Sequence, residues 1–297
     1  MNPSQHAFRS GILLATFAAT GLASKAIFAK LAYRHGVDAT TLVTLRLVFA
    51  LPILLLFRLS RSEMGATIAR RDWGWIVLLG AIGYYLASLL DFIGLQTVSA
   101  SIERLIMYLY PTLTVLLSAW LLKTPIAPSM KQALPLTYLG IGLVLAPDLI
   151  AARADWFGVG MIVGSTVLFA FYLTWSPAVI GRVGAMRFTE LALSVSGFAM
   201  LAHYLLSHPA TGLLAQPWPV YAYALAMALV ATVLPIYAMS AAMARIGSGR
   251  TAIVGSFGPV LTIFMGMGLL DERLSLLQWA GVALVMLGVW RVGQRRG

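Results

Sequence analysis

The chain has 297 residues, 60% of them hydrophobic and 10% charged, with a formal net charge of +11 and a mean hydropathy of +0.87. A soluble domain carries about 25% charged residues, so this composition excludes a water-soluble fold and predicts an all-α integral membrane protein. Cysteine is absent, which excludes disulfides, thiolate catalysis and cysteine metal ligands.

A membrane-crossing helix needs about 20 mostly apolar residues. Polar breaks divide the chain into ten such segments, predicted at 10–31, 40–58, 73–96, 100–122, 132–147, 157–179, 188–207, 219–244, 249–270 and 275–291. The runs are continuous rather than alternating, so they predict transmembrane helices and not barrel strands. The first is too long for a signal-peptide core and lacks a persuasive small-residue cleavage site, so it is expected to remain as an uncleaved crossing.

In a soluble protein the positive charge would suggest a nucleic-acid partner. Its placement gives a different account. With a cytoplasmic N-terminus, Arg9 is joined on that side by Arg58, Arg61, Arg70, Arg71, Lys123, Lys131, Arg182, Arg187, Arg245, Arg250, Arg291, Arg295 and Arg296. The opposite face keeps Arg34, Arg153, Arg273 and, near an edge, Arg104. This is the positive-inside bias, and it predicts both termini in the cytoplasm, with the lipid bilayer as partner and no nucleic acid.

The fourth and ninth segments share a pattern. LYPTLTVLLSAWLL (Leu109 to Leu122) and FGPVLTIFMGMGLL (Phe257 to Leu270) both carry a proline (Pro111, Pro259), a Leu-Thr pair (Leu113-Thr114, Leu261-Thr262) and a closing Leu-Leu. Gly94-Leu95 matches Ala242-Met243 at the same spacing. Tyr138-Leu139-Gly140 matches Trp279-Ala280-Gly281 if the first half has a longer connecting loop. Chance likeness explains any single pair of leucine-rich helices; several landmarks in one order predict two repeats, residues 1–150 and 151–297. Five segments per half make these inverted five-helix repeats, able to open a central site to either side in turn. Pro111 and Pro259 predict a bend near the middle of each helix, with freed carbonyls facing a cavity and Ser256 and Gly258 beside it. A packing kink is the alternative.

The ten-segment pattern, with SASIERLIMYLYPTLTVLLSAWLL and GSGRTAIVGSFGPVLTIFMGMGLLDERLSLLQWAGVALVMLGV, resembles the EamA-type transporters of the drug/metabolite transporter superfamily over essentially the whole chain. Asp271-Glu272-Arg273-Leu274 is similar to the acidic-basic-apolar ending frequent there. The first half departs at this point, with Lys123-Thr124-Pro125-Ile126. The resemblance implies export of small metabolites across a bacterial inner membrane, with amino-acid exporters among the relatives, and fixes no substrate.

Charge within apolar segments costs about 3 kcal/mol or more and defaults to a functional role. Lys25, Arg46, Asp91, Glu103 and Arg104 meet this description, all in the first repeat and all expected in the outer half of the membrane. Two readings stay open: an ion network pinning the outer ends of the helices, or a site in which Lys25 holds a substrate carboxylate while Asp91 or Glu103 takes a proton. Lys30 is placed to snorkel. The second repeat offers Glu190 and His203 near opposite ends of the seventh segment, and an aromatic lining of Phe169, Tyr172, Trp175 and Tyr237. With Tyr84, Tyr85 and Tyr108 these could hold an apolar or aromatic side chain; for any one ring, helix packing is the competing explanation. Gly160 and Gly164 form a GxxxG packing motif.

GxxxxGK[ST], HExxH and GxSxG are all absent, so ATP hydrolysis and hydrolase chemistry are not expected, nor is a cofactor or metal. The leading expectation is a secondary transporter exporting amino acids, neutral or aromatic, by alternating access. A lipid-translocating or scaffold subunit is the alternative; an integral membrane enzyme built on Asp91, Glu103 and His203 is a weaker one. A monomer is expected, with a dimer as the other possibility.

Overall fold

The computed structural model describes residues 3–59, 67–123, 125, 128–150, 155–255 and 257–293. Every regular element among them is helical. In hydrocarbon each backbone N–H and C=O must find a partner within its own segment, and for long apolar runs the helix is the solution.

Among the described residues, seven helices are long and apolar enough to cross a membrane: Phe8–Tyr33, Ala39–Arg58, Arg70–Thr97, Ala100–Leu121, Trp156–Val183, Ala185–Ser207 and Trp218–Gly247. Three shorter apolar helices, Pro135–Pro147, Gly258–Leu269 and Leu276–Gly288, correspond to the fifth, ninth and tenth predicted segments. The ninth is shorter than expected because its helix is interrupted around Phe257 and starts again at Gly258.

The fourth segment is interrupted in the same way. Its first helix, Ala100–Met107, ends at Tyr108, and a second, Tyr110–Leu121, follows. The prolines therefore do not bend a continuous helix. Each lies in the first turn of a new one, Pro111 in Tyr110–Leu121 and Pro259 in Gly258–Leu269, where its missing N–H is not needed and its fixed φ favours helix initiation. The third and eighth segments carry a π-turn each, Ala81–Leu86 and Leu229–Val233.

Packing joins the two halves throughout. The first segment lies along the eighth, the third along the sixth, the second against the seventh, and the fifth against the tenth. The last contact is reciprocal: a Cβ on Gly140 would lie 2.7 Å from the Gly281 carbonyl oxygen, and one on Gly281 would lie 2.5 Å from that of Gly140. Both obstacles are backbone, so neither can rotate away. Gly281→Ala should therefore force the two helices apart at a cost of about 1–3 kcal/mol, read as a lower midpoint for thermal unfolding in detergent. At one end of the bundle Arg182 donates through Nε and Nη2 to Asp72 Oδ1 at 2.9 and 2.7 Å, tying the sixth segment to the third. At the other, Asp155 caps the sixth segment by accepting from Phe157 N. The Thr97 hydroxyl holds its carboxyl below the usual range.

Candidate functional site

The first, third and fourth segments bring three of the predicted charges together. Lys25 Nζ donates to Asp91 Oδ2 in a short ion pair and to Glu103 Oε1 at 3.3 Å. Both acids are buried, and the lysine side chain is 17% exposed, so it is the member of the trio that reaches open space.

Arg46, on the second segment, does not pair with a carboxylate among the contacts seen here. It donates to Ser88 Oγ at 3.2 Å and lies 4.9 Å above the Phe92 ring, whose centroid is 5.8 Å from Lys25 Nζ. Phe92 thus has two cations over its ring, a contact favoured by the negative ring face. Its carbonyl accepts from Tyr33 Oη at 2.7 Å.

Glu103 and Arg104 are neighbours on one helix, so their side chains leave it about 100° apart. Glu103 turns to Lys25. Arg104 reaches both halves, donating from Nε to Thr262 Oγ1 at 3.1 Å and from Nη2 to the Leu22 carbonyl at 2.8 Å. The Thr262 hydroxyl in turn donates to the Ala23 carbonyl at 3.1 Å. The first, fourth and ninth segments are stitched at this point.

The start of the fourth segment is held by a residue that sequence reasoning did not select. Glu272, just past the ninth segment, accepts from Ala100 N at 2.7 Å, from Ser101 N at 3.1 Å and from Ser101 Oγ. A carboxylate at a helix N-terminus pairs with otherwise unsatisfied N–H groups and with the positive end of the helix dipole. Ser99 adds a side-chain cap on Ile102 N.

Below the trio, the interruption of the fourth segment opens an aromatic ladder. Tyr108 neighbours Tyr110 at 6.0 Å, Tyr110 meets Phe169 edge-on at 5.4 Å, and Phe169 stacks on Tyr172 at 5.7 Å. Tyr172 meets Tyr84 edge-on at 5.2 Å, with a hydroxyl contact of 3.2 Å, and Phe188 at 6.1 Å. The third segment admits Tyr172 because residue 83 is glycine: a Cβ there would lie 2.5 Å from the Tyr172 ring. Tyr108 Oη also donates to the Gly255 carbonyl at 3.3 Å, and a Cβ on Gly258 would lie 3.0 Å from that hydroxyl. The two interruptions therefore face one another. Ser256 lies outside the described residues.

Two expected members stand elsewhere. Trp175 lies tilted against Phe171 at 4.1 Å, off the ladder, because two steps of three residues turn it about 120° from Phe169. Tyr237 stacks on Phe57 at 4.5 Å and donates to Glu190 Oε1 at 2.7 Å, beside a cleft lined by Leu51, Leu54, Leu55, Arg58, Glu190 and Ser194. His203 pairs with Tyr85 through Nδ1 at 3.0 Å, apart from Asp91 and Glu103 in the contacts seen here, so the three groups named for an enzyme do not form one bonded set. Of the residues not selected beforehand, Thr262 belongs to the repeated Leu-Thr pair and Tyr110 adjoins Pro111, so the motif itself carried their signal.

Comparison with known proteins agrees with this architecture. The EamA-like transporter family matches the chain twice, over residues 9–146 and 156–293. The uncharacterized transporter YcbK of Bacillus subtilis is 30% identical over 277 residues, covering 90% of this chain and 88% of that protein. An uncharacterized transporter of Synechocystis is 26% identical, covering 97% and 90% of the two chains. A crystal structure superposes with a TM-score of 0.66 at 18% identity, over 96% of this chain and 98% of that one, a likeness of fold alone. With the same family matched once in each half, and a transporter 30% identical over 90% of this chain, the chain is a multi-pass membrane protein that belongs to the EamA-like transporter family.

Proposed function

We propose that the protein exports amino acids, neutral or aromatic, across the bacterial inner membrane by alternating access between two inverted five-helix repeats, with ten crossings and both termini in the cytoplasm. The observation that carries this reading is the pair of facing interruptions in the fourth and ninth segments, one below an ion cluster and both touching Tyr108. Discontinuous helices at a repeat interface are where carriers place small polar substrates.

The repeat is supported by backbone landmarks 148 positions apart. The positive-φ residues Gly36 and Gly184 form one such pair, and Lys123 and Asp271 another. Helices start at Arg70 and Trp218, and again at Tyr110 and Gly258; π-turns start at Ala81 and Leu229. A side chain pays a steric penalty at positive φ, so a non-glycine pair in register argues for a shared backbone plan.

Helix Ala100–Met107 packs on the first segment and on Gly258–Leu269, and Arg104 and Glu272 bond it there. These contacts support an outer side shut by Arg104 and Glu272. Lys25 then holds the substrate carboxylate and the ladder receives its side chain.

The test is counterflow in liposomes containing only the purified chain, with a mixed pool of labelled neutral and aromatic amino acids. Selective exchange supports the reading; no movement of any member sinks the amino-acid assignment. Within that assay, Phe169→Ala should weaken exchange of aromatic members roughly two- to tenfold relative to small neutral ones, the worth of about one aromatic contact. An equal loss for both would place Phe169 in helix packing.

A further inference from the structure

Three side-chain atoms around the ion cluster are buried without a hydrogen-bond partner: Asp91 Oδ1, Glu103 Oε2 and Arg46 Nε. The two acidic side chains are 3% and 0% exposed. Buried polar atoms are nearly always satisfied, and an orphan pair on two carboxylates bridged by one lysine calls for a missing donor.

The neighbouring groups do not supply it. From the second segment, Arg46 donates to Ser88 Oγ and rests on Phe92. From the fourth, Arg104 donates to Thr262 and the Leu22 carbonyl. On the first, the Tyr33 hydroxyl donates to the Phe92 carbonyl, and Lys30 lies further along the same helix. Glu272, beyond the ninth segment, faces the start of the fourth. In the hydrogen-bonded trio one ammonium thus serves two buried carboxylates. Leaving both ionised is costly, because a buried charge needs a close opposite charge of its own. A proton on one removes that charge and provides an O–H that can donate to the other.

We propose that Asp91 and Glu103 together form the proton-binding site of the transport cycle, and that a substrate ammonium group competes with the proton for Asp91 Oδ1 and Glu103 Oε2. This rests on the reading of the chain as an amino-acid carrier. An amino acid presents opposite charges on adjacent atoms. Its carboxylate draws on Lys25 while its ammonium satisfies the orphan oxygens, and the displaced proton leaves to the cytoplasm. Reloading from the outside returns the proton, so substrate export and proton entry are exchanged one for one.

The experiment measures accumulation of the labelled amino-acid pool in liposomes with and without a gradient of one pH unit. For a one-for-one exchange the gradient raises the accumulation ratio up to roughly tenfold, the factor in proton activity. In Glu103→Gln and Asp91→Asn the gradient should cease to matter, bringing that factor to about one whatever rate remains. A factor kept in both variants overturns the proposal. So does wild-type exchange that ignores the gradient, whereas absence of wild-type exchange strikes the carrier reading instead.

A second measurement needs no active variant. The infrared spectrum of the purified wild-type protein should contain a protonated-carboxyl band that weakens on adding the pool, with protons released to an indicator dye. Loss of the band in either folded variant assigns it to this pair. A wild-type protein that binds the pool with neither band nor proton release overturns the proposal.

Discussion

Lys25→Met is expected to abolish transport and to destabilise the protein, while the triple variant Lys25→Met/Asp91→Asn/Glu103→Gln recovers the stability without the transport. The single change leaves Asp91 and Glu103 buried with no cation bonded to either, since Lys25 is the group that bridges them. Removing one partner of a buried ion pair costs about 3–5 kcal/mol, chiefly through the charge left behind. Neutralising both acids removes that charge at little change in volume, and replacing a whole buried ion cluster is often neutral for stability. The two readings of the cluster separate here. If it only pins helices, the triple variant regains both stability and transport. If the cluster serves substrate or proton, the variant unfolds at a near-wild-type temperature and its counterflow stays at background. Thermal unfolding in detergent and counterflow in liposomes, on the same preparations, read the two quantities.

Helical segments were legible because the bilayer enforces them: long apolar runs have one way to satisfy their backbone. Pro111 and Pro259 stood out in the sequence because a proline is fixed in geometry. Their effect was not legible. Whether Tyr108 and Leu109 continue the preceding helix depends on what packs around them, and the chain uses Pro111 to open a new helix instead of bending an old one. The π-turns at Ala81 and Leu229 carry no sequence mark either. A π-turn holds a residue more than the α-helical turn it replaces, and the one at Ala81–Leu86 includes Gly83, where Tyr172 packs.

The charged residues announced themselves by standing in apolar runs, yet their pairing depends on helix rotation. Lys25 meets acids 66 and 78 positions away, while Arg104, beside Glu103, bonds Thr262 and Leu22 instead. The same rotation removed Trp175 from the ladder. Glu272 stood in the acidic-basic-apolar ending, but its role was hidden for another reason. At the end of a segment a carboxylate resembles any interfacial charge, and its meaning comes from the helix start of a segment 171 or 172 positions earlier.

In the proposed orientation, Glu272→Gln should open the outer side. The carboxylate accepts from two backbone N–H groups and one hydroxyl at the start of Ala100–Met107, and so fastens the fourth segment to the end of the ninth. Glutamine keeps the shape but loses the charge, and turns one acceptor oxygen into a donor facing N–H groups. Hydrogen bonds to a charged group contribute about 1.5–3 kcal/mol. A loss of about 2 kcal/mol from the closed state alone shifts its balance with the open state roughly thirtyfold. The chain has no cysteine, so one introduced by Ser24→Cys, buried beside Lys25 on the first segment, reports access without interference. A membrane-impermeant maleimide added outside should label it at least several-fold faster in the Glu272→Gln background. Because the closure also carries Arg104 bonded to Thr262 and Leu22, Thr262→Val should act in the same direction and more weakly, removing one hydroxyl partner and no charge. Equal labelling with and without Glu272 would mean that its capping stabilises the fourth segment in both states and gates neither. A slower export cycle with faster labelling would instead tie the latch to the step that returns the carrier inward.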